Sequence, residues 1–257
     1  MGSQRLILVD GSGYIFRAFY ALPPMSREDG TPVNAVFGFT SMLLKLSEDM
    51  EGENILVVFD AARTTFRNEI YKEYKANRSE PPEELVPQFD LIKKATTAIG
   101  LKSLEVENYE ADDIIATYVK IAKKENIETL VISSDKDLMQ LIQDGVSLYD
   151  PMKNIKIGPE AVLEKFGVSP DKVIDVQALA GDSSDNVPGV PGIGVKTASQ
   201  LINEYGSLEK LLDNASSIKQ EKRRESLLNN AELAIVSKKL VSLFSDVPIP
   251  YKISDLK

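Results

Sequence analysis

The chain has no cysteine, no histidine and no tryptophan in its 257 residues. Without cysteine there is no disulfide, thiolate nucleophile or zinc knuckle, and without histidine there is no Ser-His-Asp triad, imidazole base or imidazole-ligated metal. Long apolar runs are missing too. Leu6 to Val9, Ile55 to Phe59 and Leu130 to Ile132 are strand-sized, and the N-terminus lacks the basic-then-apolar pattern of a signal peptide. The expectation is a cytoplasmic protein with no membrane partner, whose chemistry comes from carboxylates, Lys, Arg, hydroxyls and bound ions. Positive charge is also short, with 30 Lys and Arg against 39 Asp and Glu. A net charge of -9 argues on its face against a polyanionic partner.

What is present is an ordinary globular composition, 43% hydrophobic and 27% charged. The first 150 residues alternate two patterns. Arg5 to Val9, Asn54 to Phe59, Leu101 to Val106, Thr129 to Ile132 and Val146 to Tyr149 read as strands; Tyr14 to Ala21, Ala35 to Asp49, Pro87 to Ile99, Asp112 to Lys124 and Lys136 to Ile142 carry apolar residues at helical spacing. Strands separated by such helices predict an α/β fold with a mostly parallel central sheet flanked by helices. After about Gly158 the strand signals stop and short helices follow, so the expected division is an α/β core over 1–158 and a helical region over 159–257. A Gly- and Pro-rich stretch, GDSSDNVPGVPGIG over Gly181 to Gly194, opens that region as a rigidly turned hairpin. A basic segment from Ala61 to Pro87, closing in SEPPEELVP, reads as a partly mobile excursion.

The carboxylates are placed unusually. Asp10 ends the first strand and Asp60 the second, while Asp135 and Asp137 follow the fourth. Glu110, Asp112 and Asp113 open the helix after the third strand, and Asp182 and Asp185 sit in the Gly-Pro stretch. Each has an ordinary alternative, since Asp135 can cap a helix, Asp112 and Asp113 suit a helix dipole, and Asp10 suits a turn before Gly11. Together they converge on the edge where parallel sheets bind ligands, and so many acids need a counter-charge. With oxygen ligands alone, that charge is a hard divalent cation, Mg²⁺ with Mn²⁺ able to substitute, in two or more positions. Such a site suits in-line displacement at phosphorus. GVPGIGVKT is not a P-loop, because Val195 stands where the lysine is required and no strand precedes it. It reads instead as a turn in which Gly192, Gly194 and Lys196 at a helix start approach a nucleic-acid phosphate.

The segments LILVDGSGYIFRAFYAL, VVFDAARTTFRNEIYKEYKANR, YEADDIIAT, VISSDKDLMQL and DVQALAGDSSDNVPGVPGIGVKTA resemble, in order, the 5'-nuclease (flap endonuclease-like) family, most closely its branch of exonuclease domains joined to bacterial polymerases. The resemblance implies a helical arch over the active site at about 61–87 and a helix-three-turn-helix element for duplex DNA. It implies that Asp10, Asp60, Glu110, Asp112, Asp113, Asp135, Asp137, Asp182 and Asp185 form the metal site, and that Lys75, Arg78 and Arg17 contact the scissile phosphate. Tyr74, Lys72, Arg67, Gly192, Gly194, Lys196 and Thr197 become expected DNA contacts, with a K⁺ ion held by backbone carbonyls around Val190 and Ile193. Expected partners are branched or 5'-flapped DNA, RNA-primer/DNA junctions and a covalently linked polymerase domain. No polymerase motif appears before Lys257, so a separated domain and a stand-alone nuclease both remain open. Two other classes are weighed: a non-catalytic branched-DNA module, for which nine acids have no use, and a small-molecule metal phosphohydrolase, which leaves the hairpin and basic segment unexplained. Setting the nine acids aside leaves thirty acids against thirty bases, which removes the objection from net charge.

Overall fold

In the computed structural model, which describes residues 5–50, 53–151 and 153–256, the first element is a wholly buried strand. β1 (Leu6–Asp10) is buried at every position, as expected of a central parallel strand covered on both faces. It is followed by α1 (Gly11–Ala21), α2 (Asn34–Asp49), β2 (Asn54–Val58), α3 (Phe66–Ile70), α4 (Val86–Ala98), β3 (Lys102–Leu104), α5 (Ala111–Lys124), β4 (Thr129–Ile132), β5 (Val146–Asp150) and β6 (Ile155–Ile157). The helical region adds α6 (Pro159–Phe166), α7 (Val173–Ala180), α8 (Val195–Tyr205), α9 (Leu208–Asp213), α10 (Glu221–Asn229) and α11 (Ala231–Val241).

The strands form one sheet in the order β3-β2-β1-β4-β5-β6, parallel except for β6, which runs antiparallel to β5. β6 was not legible in the sequence, because two of its three residues are exposed and three residues are too few to show alternation. The helix expected over Lys136 to Ile142 is a tighter 3-10 turn over Asp137–Leu141.

Side-chain alternation divides the core. Ile7, Val9, Ile55, Val57 and Ile132 pack against α1, α2 and α4, while Leu6, Leu8, Leu56, Val58 and Val131 pack against α5 and the helical region. The second cluster runs without interruption from Leu6 to Leu256, so the C-terminal helices share the core of the sheet. Each fully buried leucine contributes roughly 1.5–3 kcal/mol.

Strand order reverses between β1 and β4, because the first crossovers step outward from β1 to β2 and β3 before α5 returns the chain to β4. The crevice outside the carboxyl ends of β1 and β4 is therefore the switch point where open α/β sheets bind ligands. The chain reaches it through a tight turn at Gly11, where a Cβ would stand 2.5 Å from the Phe59 ring and 2.8 Å from the Val58 carbonyl.

Candidate functional site

The sheet edge delivers its acids as expected. Asp10 caps α1 by accepting from the Gly13 amide at 3.2 Å and accepts from the Ser133 hydroxyl, which follows β4, at 2.8 Å. The Asp135 amide donates to the same hydroxyl at 3.0 Å, and the Asp137 amide donates to Asp135 at 2.8 Å. Asp10 is thus both a cap and a site acid. Burial pushes it up to about 6, against the hydrogen bonds from Ser133 and Gly13 and with help from the charges of Asp60 and Asp135. Burial and then Asp135 push Asp137 up to about 6 as well, despite a 2.5 Å hydrogen bond from Gln177. Asp112 is raised well above the usual carboxylate range by burial and then by Asp135 and Asp10.

The start of α5 separates acids that the sequence groups together. Asp60 accepts from the Ala111 amide at 2.8 Å, which ties the end of β2 to this helix. Glu110 and Asp112 line a small cavity with Asp137, Asp182 and Asp185. Asp113 points away: it is fully buried and takes both arms of the Arg67 guanidinium at 2.7 Å, the Phe244 amide at 2.8 Å and the Glu110 amide at 3.1 Å. The metal role expected of Asp113 is therefore corrected, since its acceptor positions are filled by protein donors. Arg67, expected to touch DNA, is 1% exposed and has four of its five N–H donors taken by protein acceptors.

The basic excursion is not an open arch. Only Phe66–Ile70 and the start of α4 are helical, and the segment between them folds down onto the acids. Lys75, at φ 55, reaches Glu110 at 2.8 Å and Asp185 at 3.6 Å, and its amide donates to the Asp185 carbonyl at 2.9 Å. Arg78 meets Asp185 at 2.5 Å. Burial would lower the Lys75 ammonium, but Glu110, Tyr74 and Asp185 outweigh it and hold the group above its ordinary value. The Asn77 and Asn186 amides fasten the same stretch to the Gly-Pro loop through the Ser183 and Glu73 carbonyls at 2.7 and 2.6 Å. Tyr74, expected to stack on a base, is 5% exposed with its hydroxyl 3.3 Å from Glu110 and 3.5 Å from Asp185, so its ring is not available as placed. Lys72 is exposed in a larger cleft that also holds Asp60, Lys75 and Arg78. Arg17 lies on the other side, in a cleft with Asp10 and Ser133.

Four members of the site escaped the sequence reading. Lys136 pairs with Asp182 at 2.5 Å, and Ser184 gives Asp182 two further hydrogen bonds at 2.8 and 2.6 Å. Burial alone would raise Asp182, but these donors hold it below the usual range. Ser133 and Gln177 are the others. Ser133 and Lys136 lie within VISSDKD, where only the acids drew notice; nothing in a helical DVQALA marks Gln177.

In the Gly-Pro loop an Asp182–Val187 bridge and Gly189, at φ 63 against the Gly181 backbone, close the turn. Gly192, Gly194, Lys196 and Thr197 lie at its outer end, where all but the half-buried Thr197 are exposed. Val190 and Ile193 turn their side chains into the core, and the Val190 carbonyl accepts from the Ile193 amide at 3.1 Å. In the helical region Lys238 is neutralised by Asp175 at 2.7 Å and Glu209 at 2.6 Å.

The donor chemistry fits a hard divalent ion: the acids are all-oxygen ligands, and three of them are raised by burial and by neighbouring acids, the sign that a further positive charge is favoured there. Among the described residues no three carboxylates already form a cage, since the ammonium and guanidinium groups stand among them.

Residues 5–167 match the family described as the 5'-3' exonuclease, N-terminal resolvase-like domain, and residues 168–257 match the 5'-3' exonuclease, C-terminal SAM fold. The DNA polymerase I of Rhizobium leguminosarum is 54% identical over 254 residues, covering 96% of this chain and 25% of that protein. The DNA polymerase I of Bacillus subtilis is 43% identical, covering 99% and 29%. The chain therefore spans about a quarter of the length of these relatives. Among solved structures, the T5 D15 protein co-crystallised with metal ions aligns with a TM-score of 0.80 at 25% identity, over 94% of this chain and 90% of that one. Among the described residues no helix is long and apolar enough to cross a membrane. With both family models matched in order across an α/β fold that gathers acids at its switch point, the chain belongs to the 5'-3' exonuclease family of nucleases.

Proposed function

We propose that this chain is a divalent-metal-dependent 5'-3' exonuclease and flap endonuclease, hydrolysing phosphodiester bonds at 5' flaps, nicks and RNA-primer/DNA junctions in replication and repair. We place it in the cytoplasm as the N-terminal part of a longer polymerase chain, a reading supported by DNA polymerase I relatives of which it spans 25–29%. One observation carries it: a single cavity gathers Glu110, Asp112, Asp137, Asp182 and Asp185, and Lys75 and Arg78 pair with two of those acids. The structure of the T5 D15 protein with metal ions, and that of T5 5'-exonuclease with zinc, support divalent ions in this role. We assign Mg²⁺, with Mn²⁺ substituting, in two or more positions.

A bound divalent ion supplies charge neutralisation and lowers the pKa of an attacking water. Asp10, Asp60, Glu110, Asp112, Asp135, Asp137, Asp182 and Asp185 are the acids assigned to hold it. Lys75 and Arg78 carry fixed positive charge within reach of the same cavity, so a scissile phosphate entering it exchanges places with Glu110 and Asp185 as their partner. Arg17, beside Asp10, contacts the phosphate from the opposite side. The hairpin, with Gly192, Gly194, Lys196 and Thr197 exposed or half-exposed ahead of or within the first turn of α8, is assigned to the duplex backbone as part of a helix-three-turn-helix element, with K⁺ on the carbonyls around Val190 and Ile193.

The test is incubation with a 5'-flap DNA and Mg²⁺, repeated with EDTA and with Asp135→Asn and Lys75→Ala. Cleavage is expected with Mg²⁺ only, abolished in Asp135→Asn, and slowed by about 10²- to 10³-fold in Lys75→Ala with DNA binding little changed. Binding without cleavage under every condition would leave a branched-DNA binding module instead.

A further inference from the structure

We infer that Arg67 and Asp113 form a buried clasp that positions the first turn of α5, and with it Glu110 and Asp112, without either residue holding a metal ion or touching DNA. This rests on the proposed function of the same site. A carboxylate has about four acceptor positions and a guanidinium five N–H donors. Asp113 fills its acceptors with two Arg67 donors at 2.7 Å, the Phe244 amide at 2.8 Å and the Glu110 amide at 3.1 Å. Arg67 uses two more of its donors on the Leu240 carbonyl at 2.8 Å and the Ser242 carbonyl at 3.0 Å, so four of its five are taken. Asp113 has no acceptor position left for an ion, Arg67 keeps a single N–H beside Glu110, and both are at most 1% exposed.

The clasp has a directional consequence. It joins α3, the start of α5 and the chain leaving α11, three segments far apart in sequence. Asp113 binds the amide of Glu110, so the backbone on which Glu110 sits is fixed from the dry side, while Asp112, next along the helix, faces the cavity. The Arg67 guanidinium also lies 3.7 Å from Glu110, within reach of its charge but beyond hydrogen bonding. A fork is needed: an ammonium cannot bridge both oxygens of Asp113 and both carbonyls in one plane.

The experiment is a Mn²⁺ titration of the whole chain followed by electron paramagnetic resonance, beside flap cleavage and DNA binding in EDTA. Arg67→Lys keeps the charge and loses the fork. It is expected to bind the wild-type number of Mn²⁺ ions about 10- to 100-fold more weakly, the usual loss when a group supporting a metal ligand is changed. Its kcat should fall by a similar factor, with KM for DNA and binding in EDTA unchanged. Because Asp113→Asn strands a buried guanidinium, the paired variant Arg67→Met/Asp113→Leu is the partner test, removing both charges together. The same ion count with weakened affinity there supports the clasp, whereas loss of one ion makes Asp113 a ligand and overturns it. Weaker DNA binding of Arg67→Lys in EDTA, or an Arg67→Lys chain indistinguishable from a wild type that binds Mn²⁺ and cuts, also overturns it. A wild type that binds no Mn²⁺ and leaves the flap uncut overturns the proposed function itself, and the inference with it.

Discussion

The acids on the two sides of the cavity behave oppositely. On the sheet side, Asp10 and Asp137 are pushed up to about 6 and Asp112 is raised well above the usual carboxylate range, by burial and also by their acidic neighbours. On the loop side, Asp182 is held below its ordinary range by Lys136 and Ser184, and Asp185 is gripped by Arg78 at 2.5 Å. Residue type is alike; what differs besides burial is where the cations of the chain are attached. Lys75, Arg78 and Lys136 all reach toward the loop and α5, and none pairs with Asp10, Asp112 or Asp137. The loop side is thus neutralised by the protein and fastened to the basic segment. The sheet side retains a deficit of positive charge, the condition that favours an external cation.

The largest effect that would break this comparison comes from Asp112→Asn set against Asp182→Asn. With the proposed function, Asp112→Asn should slow Mg²⁺-dependent flap cleavage on the order of 10³-fold, the size of losing one electrostatic group from a dry site. In EDTA the same change removes a buried charge that its neighbours oppose, so the protein should melt higher, by about 1 kcal/mol of stability. Asp182→Asn should move the other way, melting lower in EDTA because Lys136 then faces a neutral amide. Thermal melts of the two variants shifting in the same direction would show that the two sides do not differ in charge balance.

The pH dependence of the metal-free protein gives a smaller but more direct measure. Asp10 and Asp137 have folded values near 6 against an ordinary value of 3.8, so between those values the folded state binds more protons than the unfolded one. Stability in EDTA is therefore expected to fall as pH rises from 4 through 6, on the order of 2 kcal/mol for each carboxylate. Asp182 opposes this, because its depressed value adds stability that is lost as pH falls. Mg²⁺ at pH 7 should restore the melting temperature, since it binds the ionised acids of the folded state. A chelated protein that grows steadily more stable from pH 4 to 7 would contradict the raised values on the sheet side.

How much of this the sequence revealed depends on whether a residue's role is set by its strand end or by a distant partner. Asp10, Asp60, Asp135 and Asp137 were legible because a parallel strand ends where its hydrophobic run ends, and all such ends share one edge of the sheet. The parallel sheet itself was legible from β-branched runs separated by helices. Arg67 and Asp113 were misassigned because their roles depend on Leu240, Ser242 and Phe244, more than a hundred residues away, and no local pattern records that contact. Tyr74 and the basic segment were misjudged for a related reason: a run of Lys and Arg looks solvated until the acids that receive it are placed beneath it. Lys238 shows the same rule in the helical region, where Asp175 and Glu209 neutralise a base that nothing local pairs.

That rule gives the smallest predicted effect and the finest test of the contrast between cations held internally and cations left free. Lys196 is exposed in the first turn of α8 and makes no ion pair among the described residues, whereas Lys238 already contacts two carboxylates. If the hairpin meets the duplex backbone, Lys196→Ala should reduce the slope of log affinity against log salt by about 1, the release of roughly one counterion. Lys238→Ala should leave that slope where it is and lower the melting temperature slightly instead, because Asp175, which also accepts from the Leu208 amide, loses its counter-charge. Salt titrations of flap binding in EDTA separate the two outcomes. A slope change in Lys238→Ala would mean that its ion pairs open on binding, and that charge pairing in the free protein does not decide which cations DNA can claim.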